Sequence, residues 1–371
     1  MSDKIKTNQF IFLGVSFIMG SKLLITMVDG ITGQDTWLVV IGGFLISIPF
    51  LLIYAHLAKR FPGKTLIQMN DIIFGKVVGK IISVVYLLYF FSLLTFNITD
   101  LSGFYTVYVM PGTPEMVFIV VLVLVSAFAV KRGMAAVTKL GMLAAIFAVG
   151  TATLTSALLI GNMDFSNFLP VLEKPVMTYV QATNIIVELP YLEVVAMLML
   201  MPLIGDFKKI TRSWVTGVLI AALLILLIVV RDTAVLGPAS NILGDNSYEA
   251  VRLINIGEFL SRIELFIALN NTALLFIKTS VLYYATVTAF SQIFKIEKSN
   301  SLILPLGSIA MVFAAVKVES AVIHTVWGAQ YAPVFSFPCT ILFPVLMVIV
   351  AAVRKLRTAP EPMLPLKTPA S

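Results

Sequence analysis

Ten apolar runs, most of them about twenty residues long, divide this chain, and nearly every lysine and arginine lies between them. Twenty helical residues rise roughly 30 Å, the thickness of a bilayer's hydrocarbon core. No water reaches that core, so every backbone N–H and C=O must be satisfied within the segment, and each run reads as a transmembrane helix. The approximate spans are 10–28, 37–57, 81–101, 116–130, 136–160, 184–201, 215–230, 262–290, 301–316 and 333–353. Charged residues make up 12% of the chain, half the roughly 25% of a soluble domain, too few to cover a water-facing surface. The sequence therefore predicts an all-α polytopic membrane protein with a single domain over 1–357. The Pro-rich polar tail, 358–371, is predicted to be disordered.

The basic residues test this count, because cytoplasmic loops carry the excess of Lys and Arg. With the N-terminus inside, the inner segments hold nineteen of them, among them Lys59, Arg60, Lys131, Arg132, Lys209 and Arg354. The outer segments hold five: Lys174, Arg231, Arg252, Arg262 and Lys317. A missed or invented helix would scramble the alternation from that point on. It persists to the end, which places both termini in the cytoplasm. The first run follows Lys4 and Lys6 like a signal peptide but lacks a small-x-small cleavage site, so it is read as a retained helix.

The net charge of +7 is spread between spans and implies no nucleic acid. Cys339 is the only cysteine and lies in an apolar run, so it forms no internal disulfide and no metal cluster. There is no GxxxxGK[ST] loop and no HExxH, and His56 and His324 lie on opposite sides. An enzyme is not supported, and no cofactor or metal is expected.

Polar groups within spans are costly and mark function by default. In span 1, Met19, Gly20, Ser21 and Lys22 interrupt the apolar run; the glycine permits a broken helix presenting backbone to a ligand. The alternative is a small-residue packing contact with Lys22 snorkelling outward. In span 6, Glu188, Leu189, Pro190, Tyr191 and Glu193 put a proline between two carboxylates, and proline removes a helical hydrogen bond. In span 8, Glu264, Asn271 and Lys278 recur every seven residues and so share one face. The asparagine is either a ligand contact or interhelical glue. Lys22 or Lys278 is a candidate to replace a coupling cation with a fixed ammonium.

Breaks in spans 1 and 6 fall on the first spans of two five-helix halves, about 10–160 and 184–353. Five is odd, so the second half runs inverted. The expected fold is the 5+5 inverted-repeat (LeuT-like) transporter fold, with broken helices 1 and 6 meeting at a midplane site. Half-helix N-termini suit a carboxylate, and carbonyls with acidic side chains suit an amine. An amino acid carries both groups.

Four stretches resemble a known family. They are Phe17-Ile18-Met19-Gly20-Ser21, Phe168-Leu169-Pro170-Val171-Leu172, Leu189-Pro190-Tyr191-Leu192-Glu193, and the segment 247–266, SYEAVRLINIGEFLSRIELF. The last carries Phe259, Arg262 and Glu264 as an F-x-x-R-x-E pattern, read here as a partner-contact or structural pair. The chain resembles the B subunits of GerA-type spore germinant receptors (GerAB-like), a branch of the amino acid–polyamine–organocation superfamily. The resemblance implies a subunit in the spore inner membrane beside A-type and C-type partners, sensing small nutrients, commonly amino acids, and triggering germination. Lys22 departs from the pattern, since many members carry a small residue there. The alternative function is a proton-coupled secondary amino acid transporter.

Overall fold

Spans 1 and 6 are both broken, and the physical causes differ. The computed structural model describes residues 4–207, 209–254, 263–317 and 327–357. Helix α1 (Thr7–Met19) stops at Gly20, and α2 (Leu23–Thr32) starts three residues later. Between them Ser21 N donates to Ile18 O at 2.9 Å and Lys22 N to Met19 O at 3.1 Å, so the helix tightens to i→i+3 bonding. Gly20 has ordinary helical angles, φ −64° and ψ −13°. The expectation that it supplies unusual backbone angles is corrected: its role is steric. A Cβ there would lie 3.0 Å from Lys278 Cβ and 3.1 Å from Leu274 O.

Span 6 breaks through proline chemistry. Helix α8 (Val176–Ile186) gives way to a widened turn, Val187–Tyr191, in which Leu189 is extended at φ −136°, ψ 105°. The residue before a proline is pushed out of the helical region, and Pro190 has no N–H to continue the ladder. The chain resumes as a tight 3₁₀ segment, Leu192–Leu203.

The other elements are α3 (Thr36–Arg60), α4 (Leu66–Phe74), α5 (Val78–Phe104), α6 (Glu115–Arg132), α7 (Met134–Leu158), α9 (Ile210–Leu236), α10 (Asn246–Arg252), α11 (Glu264–Phe294) and α12 (Ile303–Lys317). A last span runs from Trp327 through α13 (Ala332–Phe337) and a wide turn to α14 (Phe343–Val353). Among the described residues, eight helical stretches are long and apolar enough to cross a membrane. One of them, Ile25–Arg60, merges the second half of span 1 with span 2. Within the described residues the ten expected spans fall on helix, apart from the turn at Gly20–Lys22 in span 1 and the turn residues at a few span ends. Span 3 is longer than expected: α5 continues as a widened helix to Val109. Short helix α4 was not expected; it starts at Thr65, whose hydroxyl accepts from Gln68 N at 3.3 Å, and ends at Gly75 with φ +84°.

Span 6 is the centre of the bundle. In its most apolar window, 94% of residues are buried, against 28% for the span at Ser299–Val316. A helix apolar on every side must be surrounded, and α3 and α11 pack around the 3₁₀ segment. The outer helices turn Val121, Leu124 and Phe128 of α6 and Leu143 and Ile146 of α7 outward. Such a belt suits lipid and makes this a multi-pass membrane protein. On the face carrying the N-terminus, Ile5 N donates to Leu203 O at 2.8 Å and Gly205 N to Ile5 O at 3.3 Å. Arg60 donates to Leu356 O at 2.8 Å and Ala351 O at 2.5 Å, tying α3 to the end of the last helix and the residues after it.

Candidate functional site

The two breaks meet at a buried ion pair. Lys278 Nζ lies 2.5 Å from Glu193 Oε2, and both side chains are almost wholly buried. Ser21 Oγ donates to the same Oε2 at 2.8 Å and accepts from Lys278 Nζ. One carboxylate oxygen thus collects donors from spans 1 and 8. Each residue is there for a local reason. Ser21 sits in the tightened turn of span 1. Glu193 lies in the first turn after the proline break. Lys278 is in mid-α11, against the bare backbone of Gly20. Its ammonium also stands 5.4 Å from the Phe17 ring centroid, a cation–π distance.

Glu193 and Lys278 line a cavity with Leu189, Asn97, Asp100 and Trp327. Its volume is about 30 Å³, room for roughly two waters and too small for an amino acid. Phe96 stacks on Trp327 at 4.2 Å between centroids and closes one side. As described, the cavity admits nothing larger than water. Asn97 and Asp100 fall at the outer end of the expected third span, a position that suits either an entrance lining or a solvated helix end. They line the cavity because α5 runs on past them.

The other carboxylate of the break lies apart. Glu188 is fully buried, with Oε2 in hydrogen-bond contact with the Thr340 hydroxyl, while Oε1 has no partner among the described residues. Tyr54 and Tyr86 hold the backbone beside it, donating to Thr340 O at 2.5 Å and Cys339 O at 2.8 Å. The Tyr89 hydroxyl, buried and without a partner among the described residues, is within Coulombic reach of both Glu193 and Glu188.

A second polar network fills the far half of the bundle, and sequence reasoning missed most of it. Arg231 was assigned to an outer loop, yet it is in α9 and buried. It donates to Asp232 at 2.7 Å, Thr155 at 2.7 Å and Ser247 at 2.9 Å. Ser247 donates in turn to Asp232 at 2.7 Å, and Asn246 to Asp29 at 2.8 Å. Asn271 belongs here, donating to Asp245 at 3.3 Å. So does Lys22, buried among the charges of Asp245, Asp232 and Arg231. One earlier reading is corrected: Lys22 does not snorkel to an interface but is buried; the ammonium paired with Glu193 is that of Lys278. Met19, Leu189, Pro190 and Tyr191 line or flank the breaks, with Tyr191 OH donating to Val40 O at 3.4 Å. Glu264 opens α11; Arg262 lies outside the described residues. The signal that would have found the network is the recurrence of Asp29, Asp232, Asp245 and Asn246 at the far ends of spans, next to Arg231.

Ser247→Ala removes both a donor to Asp232 and an acceptor for Arg231. Hydrogen bonds to charged groups contribute about 1.5–3 kcal/mol, so the melting temperature of the purified chain should fall accordingly. An unchanged melt would mean that water serves these charges.

Helices broken in the first span of each half, meeting at buried polar groups, define the inverted-repeat class of secondary transporter folds. Solved structures agree: MhsT bound to L-phenylalanine matches at TM-score 0.64 over 93% of this chain and 97% of that one, at 12% identity. A Na⁺-coupled sialic acid symporter matches at 0.58 over 93% and 84%, at 15% identity. At such identities the likeness concerns the fold. Sequence supplies the family. Residues 4–323 match the profile described as spore germination protein, and the chain belongs to that family. Spore germination protein KB of Bacillus subtilis is 26% identical over 361 residues, covering 95% of this chain and 96% of that protein. Spore germination protein B2 of the same organism is 22% identical over 76% and 77%.

Proposed function

We propose that this chain is the nutrient-sensing membrane subunit of a spore germination receptor, and that it binds an amino acid where spans 1 and 6 break. One observation carries the reading: Ser21, Glu193 and Lys278 join both breaks and span 8 around a single carboxylate oxygen beside a small cavity. In the open state Met19, Gly20 and Ser21 offer backbone from one side, and Glu188, Leu189, Pro190, Tyr191 and Glu193 from the other. An amino acid brings a carboxylate for Lys278 and an ammonium for Glu193, replacing their mutual pair. That exchange gives the ligand differential affinity for the open state, which is what shifting a conformational equilibrium requires. The fixed ammonium of Lys278 stands in for a coupling cation. A-type and C-type subunits read the shift, in the spore inner membrane, with both termini in the cytoplasm. Arg262 and Glu264 supply a contact for them.

The second reading is a proton-coupled amino acid transporter, favoured by the buried carboxylate of Glu188. Reconstituting the chain alone in liposomes and offering a mixture of radiolabelled amino acids separates the two. Saturable binding without accumulation supports the sensor, and concentrative uptake supports the transporter. Neither binding nor uptake, in a sample whose partners are also present, would remove the amino acid site.

A further inference from the structure

We propose that Glu188 is a proton-binding site: an acid that is neutral while buried as described and gives its proton to water when the break at Leu189-Pro190 opens. The observation is a hydrogen count. Thr340 Oγ lies 2.9 Å from Ser336 O and also in hydrogen-bond contact with Glu188 Oε2. A hydroxyl has one hydrogen and cannot donate to both. A threonine within a helix habitually gives it to the carbonyl four residues back, here Ser336 O. Glu188 must then be the donor, and only the protonated acid can donate.

The other assignment leaves an ionised carboxylate with a single hydrogen bond and a bare Oε1, buried completely. A buried charge without a counter-ion neutralises instead. The surroundings offer no counter-ion among the described residues. The ammonium of Lys278 is engaged with Glu193 and Ser21. Helix α3 contributes Tyr54, whose single hydroxyl hydrogen goes to Thr340 O, and its Arg60 holds carbonyls at the other end. Helix α5 brings Tyr86 and Tyr89, the wide turn after α13 brings Cys339, and α8 brings only Tyr179, bound to Asp35 at 2.6 Å. Helices α1 and α13 carry no titratable side chain. Opening the break lets water solvate the carboxylate, and the proton leaves to that water. The site is thus coupled to opening whatever ligand drives it, and it stands on the geometry of Glu188 alone.

Infrared difference spectroscopy of the full chain in lipid nanodiscs tests this without any ligand. At neutral pH a protonated-carboxyl C=O stretch is expected in the wild type and absent in Glu188→Gln, whose amide mimics the neutral acid in shape. Thr340→Val keeps the side-chain volume but removes the acceptor, so the same band should persist and move to higher frequency. Identical carboxyl bands in wild type and Glu188→Gln overturn the proposal. So does a Thr340→Val spectrum with no shift, which decides the matter even where the glutamine variant does not fold.

Discussion

Lys278→Met lowers the stability of the purified chain by about 3–5 kcal/mol, and adding Glu193→Gln recovers most of that loss. Both effects follow from burial. The ammonium and carboxylate sit 2.5 Å apart with side chains almost wholly inaccessible. Removing one partner of such a pair strands the other charge in a medium of low dielectric, at about that cost. Replacing both removes the stranded charge, and an apolar-for-ionic exchange of similar volume is often neutral. Thermal melts of the single and double variants in one detergent form the cycle. A single variant as stable as the wild type would show that water reaches the pair. The binding readout separates structure from function: both variants should lose labelled amino acid binding, because neither retains the Lys278 ammonium. A stable double variant that still binds would take Lys278 out of the site.

Gly20→Leu should abolish ligand response while leaving membrane insertion intact. The first carbon of the new side chain would sit 3.0 Å from Lys278 Cβ and 3.1 Å from Leu274 O. A side chain can swing aside, but a backbone carbonyl moves only with α11. Overpacking of this kind costs about 1–3 kcal/mol. Carried into the ligand-binding arrangement, that is roughly ten- to a hundredfold lost in ligand affinity, and the leucine's own bulk fills the break besides. Insertion should persist because the span becomes more apolar. Membrane fractionation and binding of labelled amino acids measure the two outcomes. Wild-type affinity would remove span 1 from the site.

Much of the fold was legible because a bilayer simplifies the code. Run length and lysine placement depend on the solvent more than on tertiary contacts, so ten spans and the breaks at Gly20 and Pro190 could be read directly. What resisted reading depends on how helices rotate against one another. Asn271 and Lys278 share a face, but seven residues separate them by roughly 10 Å, enough to serve different clusters. Lys278 reaches Glu193, while Asn271 reaches Asp245. Lys22 and Arg231 had the look of residues facing water at helix ends. Only the seating of α10 against α9 and α11 encloses them. Glu188 and Glu193 differ by five residues and one proline in sequence. Their different partners follow from which neighbour each meets after the chain leaves the helix at Leu189.

The short backbone pairing of Ile5 with Leu203 and Gly205 has a mechanical consequence. It fastens the beginning of one half of the protein to the end of the other half's leading span, so the two discontinuous spans share an anchor on that face. Any rocking of the halves then pivots about this point or tears it first. Whatever docks beside the N-terminal residues gains leverage on both breaks at once, a lever long enough to carry a change at the midplane out to the membrane surface.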